Sequence, residues 1–249
     1  MSKNKAIQRG DRQFGSGQRR LFCLPPAGAG ATMFTPLMTL DSTAVEICPV
    51  ALPGREHRFA EPMPPQLDAL ADHLAEELAP TVDRPYGLLG YSMGALLSVE
   101  LVRRWRSRGL PEPDLMTVIA ARAPHLPLDR EPPFHQLDAE GFKQALLELG
   151  GTPIEILNNP EAMAFFEPVL RQDFANCELH EFQAFEALTC DINVFVGDDD
   201  SLVSIEDATE WKTITSGPFS LTEIRGGHLV SPQNMRQIFE QTLRSLSAK

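Results

Sequence analysis

A serine between two glycines, in Gly90-Tyr91-Ser92-Met93-Gly94, marks a place in the sequence where nucleophilic chemistry is expected. Glycine at both flanks suits a sharp turn that exposes the serine hydroxyl, because a side chain at either position would collide with the turn. The apolar run "YGLLG" before the turn predicts a strand, and the pattern from Met93 to about Arg108 predicts a helix. Together they predict a nucleophile elbow with Ser92 as the nucleophile.

A serine hydroxyl is a weak nucleophile and needs a histidine base that is oriented by a carboxylate, in the chain order Ser, acid, His for this kind of turn. His228 lies in "GGHLVSP", a glycine-rich turn between the last predicted strand and the last predicted helix. Such a turn meets the same sheet edge as Ser92, so His228 is the expected base. The other histidines are interpreted as ordinary surface or structural side chains: His57, His73, His125, His135 and His180.

Three consecutive aspartates, Asp198, Asp199 and Asp200, follow the predicted strand "NVFVG" and are the candidates for the acid. The turn after this strand must reach the histidine, and hydrolases of this kind use a Gly-x-x-Asp spacing, here from Gly197 to Asp200. We therefore expect Asp200 to be the acid. Asp198 and Asp199 are the alternatives, interpreted as solvated loop carboxylates.

Attack on a carbonyl group also needs two backbone N–H groups that hold the oxyanion. One is expected from Met93, the residue after the nucleophile, and the other from the loop "LPPAGAGATMF" after the first predicted strand. The small residues of this loop allow its backbone to approach a substrate. A phosphate-binding role for the loop is excluded, because no Gly-Lys-Ser/Thr ends it.

Strand and helix patterns alternate along most of the chain. Apolar runs bounded by Pro and Gly predict strands at 20–25, 44–54, 86–90, 114–124, 191–197 and 219–227. Amphipathic or capped patterns predict helices at 31–40, 66–78, 93–108, 206–213 and from Ser231 onwards. This alternation predicts an α/β fold with a mostly parallel sheet flanked by helices.

The alternation breaks between residues 125 and 188, where helical patterns at 139–149, 161–174 and 175–187 follow one another without a strand. We expect a helical lid here, with Gly150-Gly151 as a candidate hinge, inserted into a core of residues 19–124 and 189–249. Residues 1–18 are expected to form a flexible tail. Seven phenylalanines of the insertion either form ordinary core, favoured for any single one, or line a hydrophobic site: Phe134, Phe142, Phe165, Phe166, Phe174, Phe182 and Phe185.

Composition limits the classes of function. The 249 residues are 43% hydrophobic and 22% charged, which is enough to bury the core of one α/β domain with an insertion. A net charge of −12 argues against nucleic-acid binding, and no run resembles a signal peptide or a membrane span. The four cysteines form neither a C-x-x-C pair nor a zinc pattern, so free thiols in the cytoplasm are expected.

From Leu21 to the C-terminus the sequence resembles the type II thioesterases that work beside modular polyketide and nonribosomal peptide synthases. The resemblance rests on five motifs in the same order: "LPPAGAGATMF", "LPGREHRFAEP", "GYSMGALLSVEL", "VGDDDSLVSIEDATEW" and "GGHLVSP". The sequence departs from the family at Pro26, where His or Phe is more frequent, and at Ala29, where Gly is more frequent.

The resemblance implies an α/β-hydrolase fold and the hydrolysis of acyl groups from the phosphopantetheine arm of acyl or peptidyl carrier proteins, without a metal or cofactor. By matching position, it also implies that the second oxyanion donor is the N–H of Ala27. Carrier proteins are typically acidic, and this chain is acidic too, so long-range attraction between them is not expected and docking must be local. We also expect the enzyme to be a monomer. The candidate docking residues, which equally suit a solvated basic face, are Arg55, Arg58, Arg103, Arg104, Arg106 and Arg108.

Other functions would use the same residues. A carboxylesterase, lipase, peptidase or medium-chain acyl-carrier-protein thioesterase would share the three side chains, and a cyclising thioesterase would release a macrocycle in place of a free acid. The non-enzyme alternative is a carrier-binding protein with an inactive elbow. It is disfavoured because serine, acid and histidine all occur in the required order.

Overall fold

The computed structural model describes residues 5–8, 18–40, 44–128 and 130–249. Within these residues lies a six-stranded sheet whose neighbouring strands are all parallel, in the order β2-β1-β3-β4-β5-β6. The strands are β1 (Arg19–Leu24), β2 (Val45–Pro49), β3 (Tyr86–Tyr91), β4 (Leu115–Ile119), β5 (Asp191–Gly197) and β6 (Phe219–Ile224). The expected α/β fold with a parallel sheet is confirmed.

Helices cover both faces of this sheet. The α-helices of the described residues are α1 (Leu67–Leu78), α2 (Met93–Ser107), α3 (Ala139–Leu149), α4 (Ile154–Leu157), α5 (Pro160–Glu178), α6 (Ile205–Thr209) and α7 (Pro232–Ser247). Helices α1 and α2 pack on one face, while α7 and a 3₁₀ helix, Ala31–Leu40, pack on the other. Burial on both faces explains why β3 and β4 are apolar runs without alternation. No helix of the described residues is both long enough and apolar enough to cross a lipid bilayer.

Three strands end earlier than predicted: β2 at Pro49, β4 at Ile119 and β6 at Ile224. After β4 the chain leaves the extended conformation at once, because Ala120 has a φ of 47°. The apolar residues beyond these ends belong to loops at the carboxyl edge of the sheet. The candidate site is built from such loops.

The helices between β4 and β5 differ from the prediction at α5. The two helices expected at 161–174 and 175–187 are wrong, since one helix, Pro160–Glu178, is followed by residues 179–187 without helix. Asn159 caps the start of α5 by accepting from the N–H groups of Glu161 and Ala162, and nothing in the sequence interrupts the helix near residue 174. After α5, Phe182 and Phe185 pack on the main core, which holds this stretch in an irregular path.

Part of the expected N-terminal tail packs against the sheet. Ala6 is fully buried, and Ile7 forms an antiparallel bridge with Val50. Residues 5–8 are therefore not a free tail. Residues 1–4 and 9–17 of the predicted tail lie outside the described residues.

Candidate active site

Ser92 occupies a strained turn between β3 and α2. Its φ of 50° and ψ of −114° lie outside the usual regions for a residue with a side chain. A Cβ on Gly90 would overlap the backbone of Gly94 and Ala95, and a Cβ on Gly94 would overlap the backbone of Leu24. Both glycines are therefore required by close backbone approach, as the Gly-x-Ser-x-Gly pattern predicts.

The structure brings Ser92, His228 and Asp200 together at the carboxyl edge of the sheet. His228 Nε2 lies 3.1 Å from Ser92 Oγ, and His228 Nδ1 lies 3.0 Å from Oδ2 of Asp200. The Asp200 carboxylate is buried and also accepts from the N–H groups of Leu202 (2.9 Å) and Val203 (3.1 Å). These donors fix the carboxylate against the imidazole ring, an arrangement in which His228 can take a proton from Ser92.

The neighbouring aspartates occupy different positions. Asp198 and Asp199 are exposed, and within the described chain neither is bonded to His228. Asp198 Oδ1 instead accepts from the N–H of Gly226 (2.8 Å), two residues before the histidine. Of the three candidates for the acid, Asp200 is thus the one in contact with the imidazole.

Tyr91 holds the turn that carries His228, a contact that the sequence analysis missed. Its hydroxyl donates to the carbonyl oxygen of His228 (2.9 Å) and accepts from the N–H of Val230 (2.8 Å). Burial raises the pKa of Tyr91 to about 12, so the hydroxyl keeps its proton at neutral pH. No sequence signal could have revealed this contact, because Tyr91 and His228 are 137 positions apart in the chain.

The two expected oxyanion donors both line the cavity that contains Ser92. Met93 is the first residue of α2, so its N–H has no acceptor within the helix. Over the described residues, the N–H groups of Met93 and Ala27 have no hydrogen-bond acceptor. Both are therefore free to bind an oxygen atom of a ligand.

Glu56, in the "LPGREHRFAEP" motif, fixes the end of the loop that carries Ala27. Its carboxylate accepts from the N–H groups of Ala31 (3.0 Å) and Thr32 (2.9 Å), at the start of the 3₁₀ helix. A Cβ on Gly30 would overlap this carboxylate, so a larger residue there would displace Glu56 from these N–H groups. Glu56 itself has a φ of 51°, which a residue with a side chain adopts only at an energetic cost. The residue types and spacing of the motif do not indicate this role of Glu56.

A cavity of about 900 Å³ extends from Ser92 between the core and helices α3, α4 and α5. Its walls are mainly apolar, and the seven phenylalanines divide between the two interpretations. Three of them line the cavity: Phe134, Phe166 and Phe174. Phe142 is buried in a small apolar cluster, and Phe182 and Phe185 pack on the main core. The side chain of Phe165 is exposed. Cys177 also lines the cavity, and burial raises the pKa of its thiol. This cavity suits an apolar chain attached to the group that Ser92 attacks.

Two clusters of carboxylate and histidine side chains have spacings that a metal ion could bridge: Glu61, His73 and Glu77, and Asp68, Glu100 and His180. Arginines already contact their carboxylates. Arg58 bonds to Glu61 and Glu77, and Arg104 bonds to Asp68 and Glu100. Since a guanidinium group already holds at least one oxygen of each of these carboxylates, we interpret both clusters as ion-pair networks.

The predicted docking arginines are mostly unavailable. Arg55 is 8% exposed and paired with Asp173, and Arg58 is 1% exposed. The interpretation of these two as surface docking residues is wrong, because both guanidinium groups are buried and paired with carboxylates. Arg104 bridges α1 and α2 through Asp68 and Asp72, whereas Arg108 is exposed at the end of α2.

Comparison with known proteins decides the family. The thioesterase domain family matches residues 19–249, almost the whole chain. The chain belongs to the thioesterase family. This thioesterase is 34% identical to the gramicidin S biosynthesis protein GrsT of Aneurinibacillus migulanus, over 91% of this chain and 88% of that protein. It is 33% identical to thioesterase PikA5 of Streptomyces venezuelae, over 84% of this chain and 74% of that protein.

Solved structures agree with this assignment. The type II thioesterase BorB from the borrelidin biosynthetic cluster superimposes with a TM-score of 0.87 at 30% identity, covering 99% of this chain and all of that chain. The expected α/β-hydrolase fold and the resemblance to type II thioesterases are confirmed. The thioesterase described here is an enzyme that hydrolyses thioesters.

Proposed function

We propose that this thioesterase hydrolyses acyl groups from the phosphopantetheine arm of acyl or peptidyl carrier proteins, clearing stalled or aberrant units from a polyketide or nonribosomal peptide assembly line. One observation carries the chemistry: Ser92 Oγ lies 3.1 Å from His228 Nε2 in the wall of a largely apolar cavity. The relatives support the biological setting, since GrsT is a gramicidin S biosynthesis protein and BorB belongs to the borrelidin cluster.

In the first half of the proposed reaction, His228 Nε2 takes the proton of Ser92 Oγ while this oxygen bonds to the thioester carbonyl carbon. The N–H groups of Ala27 and Met93 stabilise the oxyanion. The C–S bond then breaks, its electron pair stays on sulfur, and the proton on His228 passes to the leaving thiolate. Asp200 accepts from Nδ1, which keeps Nε2 as the basic nitrogen of the resting enzyme.

In the second half, water releases the acyl group from Ser92. His228 takes a proton from the water molecule as the water oxygen attacks the ester carbonyl. The carboxylic acid leaves, and the proton on His228 returns to Ser92 Oγ. Because a thiol with a pKa of ~8.5 is a far better leaving group than an alcohol, the first half is faster for thioesters than for oxygen esters.

We expect residues 125–188 to act as a lid between the two core segments, 19–124 and 189–249. The support is the position of Leu146, Ile156 and Phe166, which line the cavity from α3, α4 and α5. A pantetheine arm must enter and bulk water must be kept out, so this cover has to open and close. Hydrogen exchange should be faster in α3 and α4 than in β3 and β4. Equal protection would contradict a lid.

The partner is expected to be an acidic carrier protein that docks locally on a cytoplasmic monomer. Among the predicted docking residues, Arg108 is exposed and is the candidate that we retain. The kcat/KM for one acyl group should be higher on the carrier protein than on coenzyme A, because docking far from the reacting bond can be used in the transition state. Arg108→Glu should lower kcat/KM for the acyl group on the carrier protein and leave kcat/KM for the same acyl group on coenzyme A unchanged. Equal values on both forms would mean that the enzyme recognises only the acyl-pantetheine.

The chemistry is tested by intact-protein mass spectrometry with acyl-pantetheine thioesters of increasing chain length. The wild type should gain the mass of the acyl group, and Ser92→Ala should not. Ser107→Ala, in the same helix but outside the cavity, is the matched control and should behave like the wild type. Product analysis on matched thioester, oxygen ester and amide substrates decides the alternatives: faster ester or amide hydrolysis, or a macrocyclic product, would overturn the proposal.

A further inference from the structure

Partners from two distant segments hold the oxyanion loop, which we define as residues 26–30. The N–H of Gly28 donates to Asp173 Oδ2 over 2.8 Å, and Arg55 Nη1 donates to the carbonyl oxygen of Ala29 over 2.9 Å. These bonds lie on the two residues that follow Ala27, whose own N–H has no acceptor in the described part of the chain. The position of this free N–H therefore depends on Asp173 and Arg55.

Arg55 and Asp173 form a forked ion pair. Arg55 Nη1 lies 2.6 Å from Oδ2, and Nη2 lies 2.8 Å from Oδ1, so the planar groups fix each other's orientation. Asp173 is 1% exposed and Arg55 is 8% exposed. A buried charge is strongly unfavourable without its partner, so the pair stays together in the folded protein.

Helix α5 and the oxyanion loop also approach closely at Gly28. This residue has a φ of +74°, and a Cβ on it would overlap Leu170, one turn before Asp173 on α5. Glycine thus allows the loop to lie directly against the helix. The contact places Asp173 within hydrogen-bond distance of the Gly28 N–H.

We propose that Asp173 is a positioning residue for thioester hydrolysis: through Gly28 and Arg55 it holds the oxyanion loop in the conformation that presents the Ala27 N–H to the oxyanion. This inference rests on the proposed function, because it takes Ala27 to be an oxyanion donor. The contact between Asp173 and the oxyanion loop also fixes one end of the expected lid. The part of α5 that carries Leu170 and Asp173 stays with the core, and opening is confined to the residues before it.

Loss of a purely structural ion pair would change the measured affinities in a different way from loss of a positioning residue. Loss of such an ion pair would lower stability and would weaken ground-state and transition-state binding alike. Loss of a positioning residue weakens the binding of a tetrahedral anion while the binding of an uncharged substrate analogue is unchanged. Two probes separate these cases. Hexylboronic acid adds to Ser92 Oγ and becomes a tetrahedral anion, whereas S-hexyl pantetheine is a thioether that lacks the thioester carbonyl group.

The experiment measures the affinity of both probes and the kcat for S-hexanoyl pantetheine in Asp173→Asn and Arg55→Lys. Lysine keeps the charge but cannot donate to Asp173 and Ala29 in the same forked geometry. The matched control is Glu46→Gln, since Glu46 is buried and paired with Arg20 (3.1 Å) at the amino ends of β1 and β2, the sheet edge opposite Ser92. We expect boronate affinity and kcat to fall by roughly tenfold or more in both test variants, with thioether affinity within about twofold of the wild type.

The control variant, Glu46→Gln, should keep the boronate affinity, the thioether affinity and the kcat of the wild type. The inference is overturned if boronate affinity stays within about twofold of the wild type, if the thioether is weakened as much as the boronate, or if Glu46→Gln gives the same pattern. If Asp173→Asn does not fold, Arg55→Lys decides by the same criteria. Boronate binding does not require thioester turnover, so a wild type that binds boronate without hydrolysing thioesters would refute the proposed function and leave this comparison valid. A wild type that binds no boronate would refute the inference itself.

Discussion

The hydroxyl of Tyr91 bonds to the backbone of the turn that carries His228, so the residue before the nucleophile also holds the base. It donates to the His228 carbonyl oxygen over 2.9 Å and accepts from the Val230 N–H over 2.8 Å. The two bonds lie on either side of Leu229. They restrict the turn, and with it the distance between the imidazole ring and Ser92.

Tyr91→Phe should therefore reduce catalysis more than stability alone would explain. We expect kcat to fall by roughly ten- to a hundredfold, because small displacements of a catalytic group have effects of this size. The matched control is Tyr86→Phe, which removes the hydroxyl that donates to the Pro111 carbonyl oxygen at the other end of β3. That variant should lose stability, measured by urea unfolding, and keep its kcat. An unchanged kcat in Tyr91→Phe would contradict the prediction.

Asp200→Asn should lower kcat far more than Asp198→Asn. An asparagine beside His228 Nδ1 favours the wrong tautomer, and in other serine hydrolases this change lowers kcat by a factor on the order of 10⁴. Asparagine at position 198 can still accept from the Gly226 N–H, so we expect kcat there to stay within about threefold of the wild type. Steady-state kinetics on one acyl-pantetheine checks both values. A larger loss in Asp198→Asn would identify Asp198 as the acid.

Gly151→Ala should disturb the contact between the expected lid and the His228 turn. Gly150 and Gly151 both have positive φ values, 74° and 81°, but only at Gly151 would a Cβ overlap the Leu229 side chain. Gly150→Ala is thus a control with a similar positive φ and no collision. We expect Gly151→Ala to lower kcat/KM by at least about threefold more than Gly150→Ala, and added Leu229→Ala to remove that difference. No recovery in the double variant would exclude the collision as the cause.

Glu100→Gln should weaken the fold in a pH-dependent way. Burial alone would raise the pKa of Glu100, but His180, Arg103 and Arg104 outweigh it and lower the pKa to about 2. A carboxyl group with a lowered pKa stabilises the folded state above its unfolded pKa of ~4.3, and this stabilisation is lost as the pH falls toward 2. At pH 7 it amounts to about 3 kcal/mol of unfolding free energy.

Urea unfolding of the wild type and Glu100→Gln at pH 7, 5 and 3 checks this expectation. The difference between them should be present at pH 7 and 5 and become smaller at pH 3. Asp72→Asn is the control, because Asp72 pairs with the same Arg104 but is largely exposed, and its effect should stay below about 1 kcal/mol. A difference that grows as the pH falls would contradict the prediction.

The elbow and the strand pattern could be predicted because their causes are local. Gly90 and Gly94 are required by the backbone of their own turn and its nearest strand, and apolar runs report burial directly. The order of elements then places the loops that carry Ser92, Asp200 and His228 at one sheet edge. Helix α5 was divided wrongly, because amphipathic spacing does not indicate where a tertiary contact ends a helix.

The contacts that tune the site could not be predicted in this way. Arg55 looked like a surface cation, and its partner Asp173 lies 118 residues further along the chain. Glu56 and Tyr91 likewise act through backbone groups of other loops, which leave no mark in residue type or spacing. Such bonds depend on how finished elements meet, so they are visible only in the folded chain.

Cys177, in the wall of the cavity, faces a particular hazard in the proposed reaction. Every turnover brings a thioester past it, and a thiolate can attack a thioester carbonyl and displace the thiol that carries the acyl group. Because burial raises its pKa, Cys177 is held in the protonated form, which does not capture the acyl group. The enzyme is thereby protected from acylating itself at this residue.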